Sequence, residues 1–318
     1  MHTQKTPELR ILGVCIDQWF GVKKATYGNF DNVLELENIS RGDYIDQIMP
    51  ILNDYDVIIF NGMTELFSAL IDQLTGKRIF VMYHGSPTLH SENEYENFMF
   101  KLILQKSIEK KIEGIIFIKK DLEKLFSVLG HNTMHLPNRV GNFVDNKKLL
   151  HSEYKIGVLS QLLLWNKNLY NQILAAISLE NTQVYVNVDK NMLGYLAEEK
   201  RITSVGVIRD PVEFENFLSS LDINMNVTLT EAYPMNIVES LQAGIPCLTS
   251  RTNHIFDESD ILSKYLVVDD FDNASTIADK LKEVMTNYRE IVTEILVFRV
   301  KLKEKNDKLW ADFLASLK

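Results

Sequence analysis

The sequence predicts an α/β protein made of two parallel-sheet domains. Three observations lead there. Short apolar runs alternate with longer stretches of helical periodicity, the rhythm of repeated strand–helix units. Several of the runs are apolar at consecutive positions, as in strands whose two faces are both covered. At 318 residues the chain suits two domains of about 150 residues better than one.

In the first half the strand candidates are "RILGVC" (10–15), "VIIF" (57–60), "RIFVMYHG" (78–85), "GIIFI" (114–118) and "TMHLP" (133–137). Helical periodicity falls between them, near 42–53, 64–75, 93–111 and 120–129. The segment "NRVGNFVDNKKLLHSEY" (138–154) is polar, breaks the rhythm and reads as a linker. The alternation then restarts with "KIGVLS" (155–160), "TQVYVNV" (182–188), "ITSVGVI" (202–208), "INMNVTL" (223–229), "IPCLTS" (245–250) and "YLVVDD" (265–270). Two long helical stretches, 273–287 and 289–316, follow. The expected domains are 1–150 and 151–297.

Composition narrows the function. Apolar residues make up 46% and charged residues 24%, as in an ordinary globular chain, and the net charge is −9. Residues 1–150 carry 17 basic and 19 acidic side chains, and residues 151–318 carry 17 and 24. Neither half has the basic footprint of a nucleic-acid binder. Lys106, Lys110, Lys111, Lys119, Lys120 and Lys124 are interleaved with acids, so a solvated helix face is the favoured reading, with peripheral membrane contact as the alternative. Two distant cysteines, Cys15 and Cys247, lie in apolar runs and point to buried free thiols in a reducing compartment. The first residues lack a signal-peptide core, and no apolar run approaches the roughly 18 residues of a transmembrane span, so a cytoplasmic protein is expected.

In parallel sheets ligands gather at the carboxyl ends of strands, where helix N-termini point. One such exit stands out, "TLTEAYPMNIVESLQAGIPCLTS" (228–250). Glu231 falls on the loop after a strand, and Glu239 about one turn into the next helix. Carboxylates accept hydrogen bonds from vicinal diols, and the helix N-terminus between them suits a phosphate. A purely structural reading competes: Asn236 and Glu239 fit a capping box, with Pro234 in the first helical position.

With its context, this stretch resembles the donor domain of the family-4 retaining glycosyltransferases of GT-B fold. The matching segments are "SVGVIRDPVEFENFLSSLDINMNVTLTEAYPMNIVESLQAGIPCLTS", "KIGVLSQLLLWNKNLYNQILAA", "IFIKKDLEKLFSVLGHNTMHLPNRVGNFVD" and "YLVVDDFDNASTIADKLKEVM". They run in order over roughly 114–285. The resemblance implies two Rossmann-like domains facing across a cleft, with the last helix, about 298–318, packing back on the first domain. It implies that Glu231 holds hydroxyls of the donor sugar and Glu239 those of the ribose. Backbone amides over Tyr233, Pro234, Met235 and Asn236 approach sugar and phosphate. Lys167 matches the lysine that binds the diphosphate, and His84, in "YHGSP", a histidine beside the donor sugar.

Departures accompany the match. "SQLLLW" has no arginine where the family places one before the lysine, which leaves Arg209 as the nearest substitute. The loop expected after the first strand, "CIDQWFGVKKATYGNF", offers only Gly21 and Gly28, with Lys23 and Lys24 nearby. "EAYP" replaces Glu-Gly-Phe-Gly, a stiffer turn. No HExxH, Cys-x-x-Cys, GxxxxGK[ST] loop or nucleophile elbow appears, which favours a metal-independent site without a resident cofactor. The resulting expectation is a retaining, hexosyltransferase-like enzyme acting in polysaccharide biosynthesis. It moves a sugar from a nucleotide-diphosphate donor to a carbohydrate or lipid-linked carbohydrate acceptor. The rivals are a non-catalytic GT-B-fold partner of an acceptor or sister subunit, and another GT-B enzyme such as a nucleotide-sugar epimerase.

Overall fold

The computed structural model describes residues 9–91, 93–144, 153–160 and 163–318. Of the expected linker, 145–152 lie outside the described residues. The chain divides into two compact units, Met1–Arg139 with Asn306–Lys318, and Val140–Lys305.

The first unit runs β1 (Ile11–Ile16), α1 (Phe20–Asn29), β2 (Val33–Leu36), α2 (Gly42–Asn53), β3 (Val57–Asn61), α3 (Glu65–Gln73), β4 (Arg78–Tyr83), α4 (Glu94–Ile108), β5 (Gly114–Phe117), α5 (Leu122–Val128) and β6 (Thr133–His135). Its sheet has the order β2-β1-β3-β4-β5-β6, and every pairing is parallel. β3 is buried at all five positions, which is why its sequence is an unbroken apolar run ending in Asn61. Local chemistry starts the helices between strands. Thr64 and Asn93 accept hydrogen bonds from first-turn amides of α3 and α4.

Residues Asn306–Lys318, the end of α11 (Tyr288–Ser316) and the two residues beyond it, count with this unit. Trp310 is fully buried; its indole N–H donates to the Pro137 carbonyl at 2.8 Å and its ring meets Phe30 edge-on. Phe313 meets Phe80 edge-on, and Asn306 Nδ2 donates to the Asn138 carbonyl at 2.8 Å.

The second unit runs β7 (Tyr154–Val158), α6 (Leu169–Ile177), β8 (Thr182–Val186), β9 (Ile202–Ser204), α7 (Pro211–Ser220), β10 (Ile223–Asn226), α8 (Met235–Ala243), β11 (Cys247–Ser250), α9 (Asp260–Leu266), β12 (Val267–Val268), α10 (Ala274–Thr286) and most of α11. The sheet order is β12-β11-β10-β7-β8-β9, again all parallel. β7 and β10 are therefore direct neighbours at the centre. α8 stops at Gly244, whose left-handed backbone (φ 69°) lets the Ile245 amide reach back to the Ser240 carbonyl at 3.0 Å. Pro246 then leads into β11.

Three expectations need correction. The stretch after β1 is not a glycine-poor loop: Gly21 and Gly28 lie inside α1, and β2 follows unforeseen. Lys106 is not on a solvated face. It is 5% exposed and reaches Asp72 at 2.6 Å, its stem packed within the unit and its ammonium delivered to the carboxylate. The strand after 202 is short, because the chain leaves the sheet at Ser204, ahead of Gly206. Both cysteines are free and buried, as their apolar settings predicted.

Replacing Trp310 by alanine removes a filled core position together with a satisfied indole donor. Loss of about 3–5 kcal/mol is expected, read as a lower midpoint in denaturant unfolding of the full chain followed by circular dichroism.

Candidate functional site

At the carboxyl edge of the second sheet the exits of β7 and β10 come together. After β7 the chain makes a single 3₁₀ turn, Trp165–Lys167, which Asn168 ends in the left-handed region (φ 52°). The Lys167 ammonium is 2.7 Å from Glu231 Oε2. Both side chains are partly buried, 28% and 19% exposed, so each keeps some contact with solvent. Sequence reading gave these two residues separate ligand contacts; the fold also brings them to each other.

Side-chain amides and backbone groups stitch the two exits. The Leu229 amide donates to the Asn166 carbonyl at 2.8 Å, and Asn166 Nδ2 to the Thr230 carbonyl at 3.4 Å. Asn236 Nδ2 donates to the Leu159 carbonyl at 2.7 Å, which fixes the first turn of α8 against the end of β7. Beneath it, Asn224 Nδ2 donates to Ser240 Oγ at 2.9 Å, and that hydroxyl donates to the Asn236 carbonyl at 2.7 Å. Asn166, Asn224 and Ser240 are buried polar groups among apolar neighbours. The signal available in sequence was a polar residue at a core-facing position, which composition and periodicity pass over.

The capping-box reading does not hold in this geometry. Pro234 is the residue before the helix, not its first residue, and makes no side-chain cap. Asn236 lies inside α8, with its amide spent on Leu159. Glu239 is the fifth residue of α8 and half-buried. Of the four backbone positions named for the turn, Pro234 has no N–H to offer, which leaves Tyr233, Met235 and Asn236. Tyr233 and Met235 also pack on the core of the unit. Cys247, on β11, is pushed up to about 12 by burial, with a smaller push from Glu239, so it is a packed thiol and not a nucleophile.

Arg209 is exposed on the loop after β9, and no hydrogen bond or ion pair joins it to another described residue. Its neighbour Asp210 caps α7 through the Glu213 amide at 2.8 Å. In the first unit Lys23 is engaged by Asp17 at 2.7 Å and Glu35 at 2.5 Å. Among the described residues no group of three or more His, Cys, Asp or Glu side chains could hold a metal ion. No helix of the described residues is long and apolar enough to cross a membrane.

His84 follows β4 in the first unit, half-buried, with Nε2 3.1 Å from Asn61 Oδ1. Asn61 Nδ2 faces two carbonyls, Val14 at 3.3 Å and Ile59 at 3.2 Å, so its oxygen is turned to the histidine. Nε2 therefore carries the proton and Nδ1 is left as an acceptor. Burial holds the imidazole down at about 4. His84 is then a neutral hydrogen-bonding group at pH 7 and not a cation. An NMR titration is expected to place its midpoint near 4. The unfolded chain takes up this proton at its ordinary value near 6.5, so stability from the neutral ring is full above pH 6.5 and falls as pH drops toward 4. A His84→Gln variant should lose that part of the acid sensitivity, and identical pH–stability profiles would contradict it.

No protein-family model matches the sequence, and no curated protein sequence matches it. Solved structures do match. A UDP-forming α,α-trehalose-phosphate synthase from Burkholderia xenovorans, in complex with glucose-6-phosphate, is 12% identical with a TM-score of 0.70, over 96% of this chain and 99% of that one. One from Burkholderia vietnamiensis is 10% identical with a TM-score of 0.66 over the same shares. Sucrose-phosphate synthase from Thermosynechococcus elongatus is 13% identical with a TM-score of 0.62, over 95% of this chain and 100% of that one. These neighbours are glycosyltransferases of GT-B fold. Two α/β units with six-stranded parallel sheets, matched along nearly their whole length, give this chain the GT-B fold.

Proposed function

We propose that the chain is a retaining glycosyltransferase that uses a nucleoside-diphosphate sugar without a metal. The observation that carries this reading is the meeting of Lys167 and Glu231 at 2.7 Å beside the helix that bears Glu239. One cation for a diphosphate and two carboxylates for diols are the groups such a donor needs. On this reading the unit Val140–Lys305 holds the donor, and the first unit, with His84, serves the acceptor side.

The donor takes apart the Lys167–Glu231 pair. A phosphate oxygen replaces the carboxylate on Lys167, and sugar hydroxyls replace the ammonium on Glu231. In the reaction the bond from the sugar C1 to the phosphate oxygen breaks, and its electron pair goes to that oxygen. An acceptor hydroxyl forms the new bond to C1 on the same face and gives its proton to the departing phosphate. Lys167 then faces more negative charge than in the ground state, which is where a fixed cation accelerates transfer. Glu239 is assigned to the ribose. Arg209 is a second cation from a separate loop, and Tyr233, Met235 and Asn236 offer amides to sugar and phosphate. The acceptor is a carbohydrate or lipid-linked carbohydrate, which places the enzyme in polysaccharide biosynthesis in the cytoplasm.

A second reading is a GT-B-fold partner protein without transfer activity. It is favoured by one feature, that Lys167 is already neutralised by Glu231. Thermal shift with UDP, GDP and ADP, followed by product analysis with their sugars, separates the two. A transferase is stabilised by one of these ligands and releases nucleoside diphosphate; a chain that responds to none of them is the partner protein.

Glu239→Ala is expected to weaken nucleoside-diphosphate binding about ten- to hundredfold, the loss of a charge-assisted hydrogen bond. Unchanged binding, measured by calorimetry, would remove the ribose assignment. Lys167→Ala should lower turnover more than donor affinity, and Arg209→Ala should be the milder of the two. Near-normal turnover in Lys167→Ala with a dead Arg209→Ala would reverse the assignment of the diphosphate site.

A further inference from the structure

We infer that Gln172 is the positioning residue of Lys167, a part of the site that rests on the donor reading above but can be tested apart from it. Gln172 stands one turn into α6 and is 3% exposed, a primary amide in an otherwise apolar helix face. Its Nε2 donates to the carbonyl of Lys167 itself at 2.7 Å, and more distantly to that of Asn168 at 3.4 Å. Its Oε1 accepts the amide of Val227 at 2.8 Å. Val227 is the first residue after β10, four before Glu231. One side chain thus joins the backbone of the lysine to the strand exit that carries its carboxylate partner.

The arrangement has a physical reason. The turn Trp165–Lys167 lies off the sheet; within it the Lys167 amide bonds to Leu164 and the Asn168 amide to Trp165. One backbone bond, from the Leu229 amide to the Asn166 carbonyl at 2.8 Å, ties its middle to the β10 exit, leaving the Lys167 carbonyl to a side chain. Asn168 takes the left-handed conformation and donates to the Phe271 carbonyl at 2.6 Å, which fixes the far side of the turn. Gln172 fixes the near side, next to Glu231. The Lys167 carbonyl and the buried Val227 N–H both bond to this amide, so an apolar replacement takes that partner from two backbone groups. Relief comes from moving the turn outward, and the ammonium moves with it.

The test uses the full chain and two variants. Gln172→Met keeps the length and removes both bonds. Gln172→Glu keeps an acceptor for Val227 and, when ionised, has no proton for the Lys167 carbonyl. Lysines are labelled at pH 8 with acetic anhydride, and the rate at each site is read by mass spectrometry, with Glu231→Gln as the reference for a released Lys167. Both Gln172 variants are expected to raise the rate at Lys167 several-fold toward that reference, with other lysines of the same unit unchanged. Nucleoside-diphosphate affinity should fall about tenfold in each. A lower melting midpoint with unchanged Lys167 labelling makes Gln172 a core amide only and overturns the inference. If Gln172→Met does not fold, Gln172→Glu alone decides by the same labelling. If the wild type binds none of UDP, GDP or ADP, the donor reading fails, while the labelling arm still reports whether Gln172 holds Lys167.

Discussion

All the strands of the second sheet point one way, and the site depends on that constraint. Parallel pairing of β7 with β10 brings together the exits of two strands whose following loops, at Lys167 and Glu231, are 64 positions apart. It also creates a problem, because strand ends at a shared edge leave amides and carbonyls that no ladder takes up. Here they are taken up by Asn166, Gln172 and Asn236, three primary amides that each offer a donor and an acceptor. A primary amide is the group that can serve a carbonyl on one loop and an N–H on another without carrying charge into the core. The same stitching that satisfies the backbone sets the positions of the charged groups above it.

The ion pair itself is a modest interaction. Both partners keep contact with water, and pairs of this kind contribute no more than about 1 kcal/mol. That modesty suits a binding site. On the proposed donor reading, a strongly held pair would compete with an arriving anion. A pair near neutral free energy lets the ammonium change partners at little cost, while the amides below keep the loops in place. His84 follows the same economy in the first unit, where burial keeps its ring uncharged and Asn61 selects the proton position.

The apolar runs that became β1, β3, β4 and β5 were legible because burial on both faces leaves a continuous hydrophobic trace, whereas β8 is buried only at alternate positions. α2, at Gly42–Asn53, was legible from its period. α1 was not: "FGVKKATYGN" holds two glycines and no clear apolar face, and it is a helix through its packing beside β1. β2 was missed because its first three residues are only half-buried, so no apolar run announces it. In the site, Glu231 and Glu239 could be named from a strand exit and the helix that follows it, and Lys167 only through the family resemblance. Gln172 could not, since one amide among apolar neighbours looks like tolerated noise until its two bonds are drawn. Lys106 fails in the opposite sense: its charge suggested solvent, whereas its stem is packed and its ammonium is committed to Asp72.

The first unit is interrupted in sequence: its last piece, Asn306–Lys318, follows the whole of Val140–Lys305. A ribosome adds about 5–20 residues per second, so translation of the intervening stretch takes on the order of ten seconds or more. Throughout that interval Phe30, Phe80 and the Pro137–Asn138 carbonyls wait for Trp310, Phe313 and Asn306. The nascent first unit therefore has an unfinished apolar seam while the second is being made.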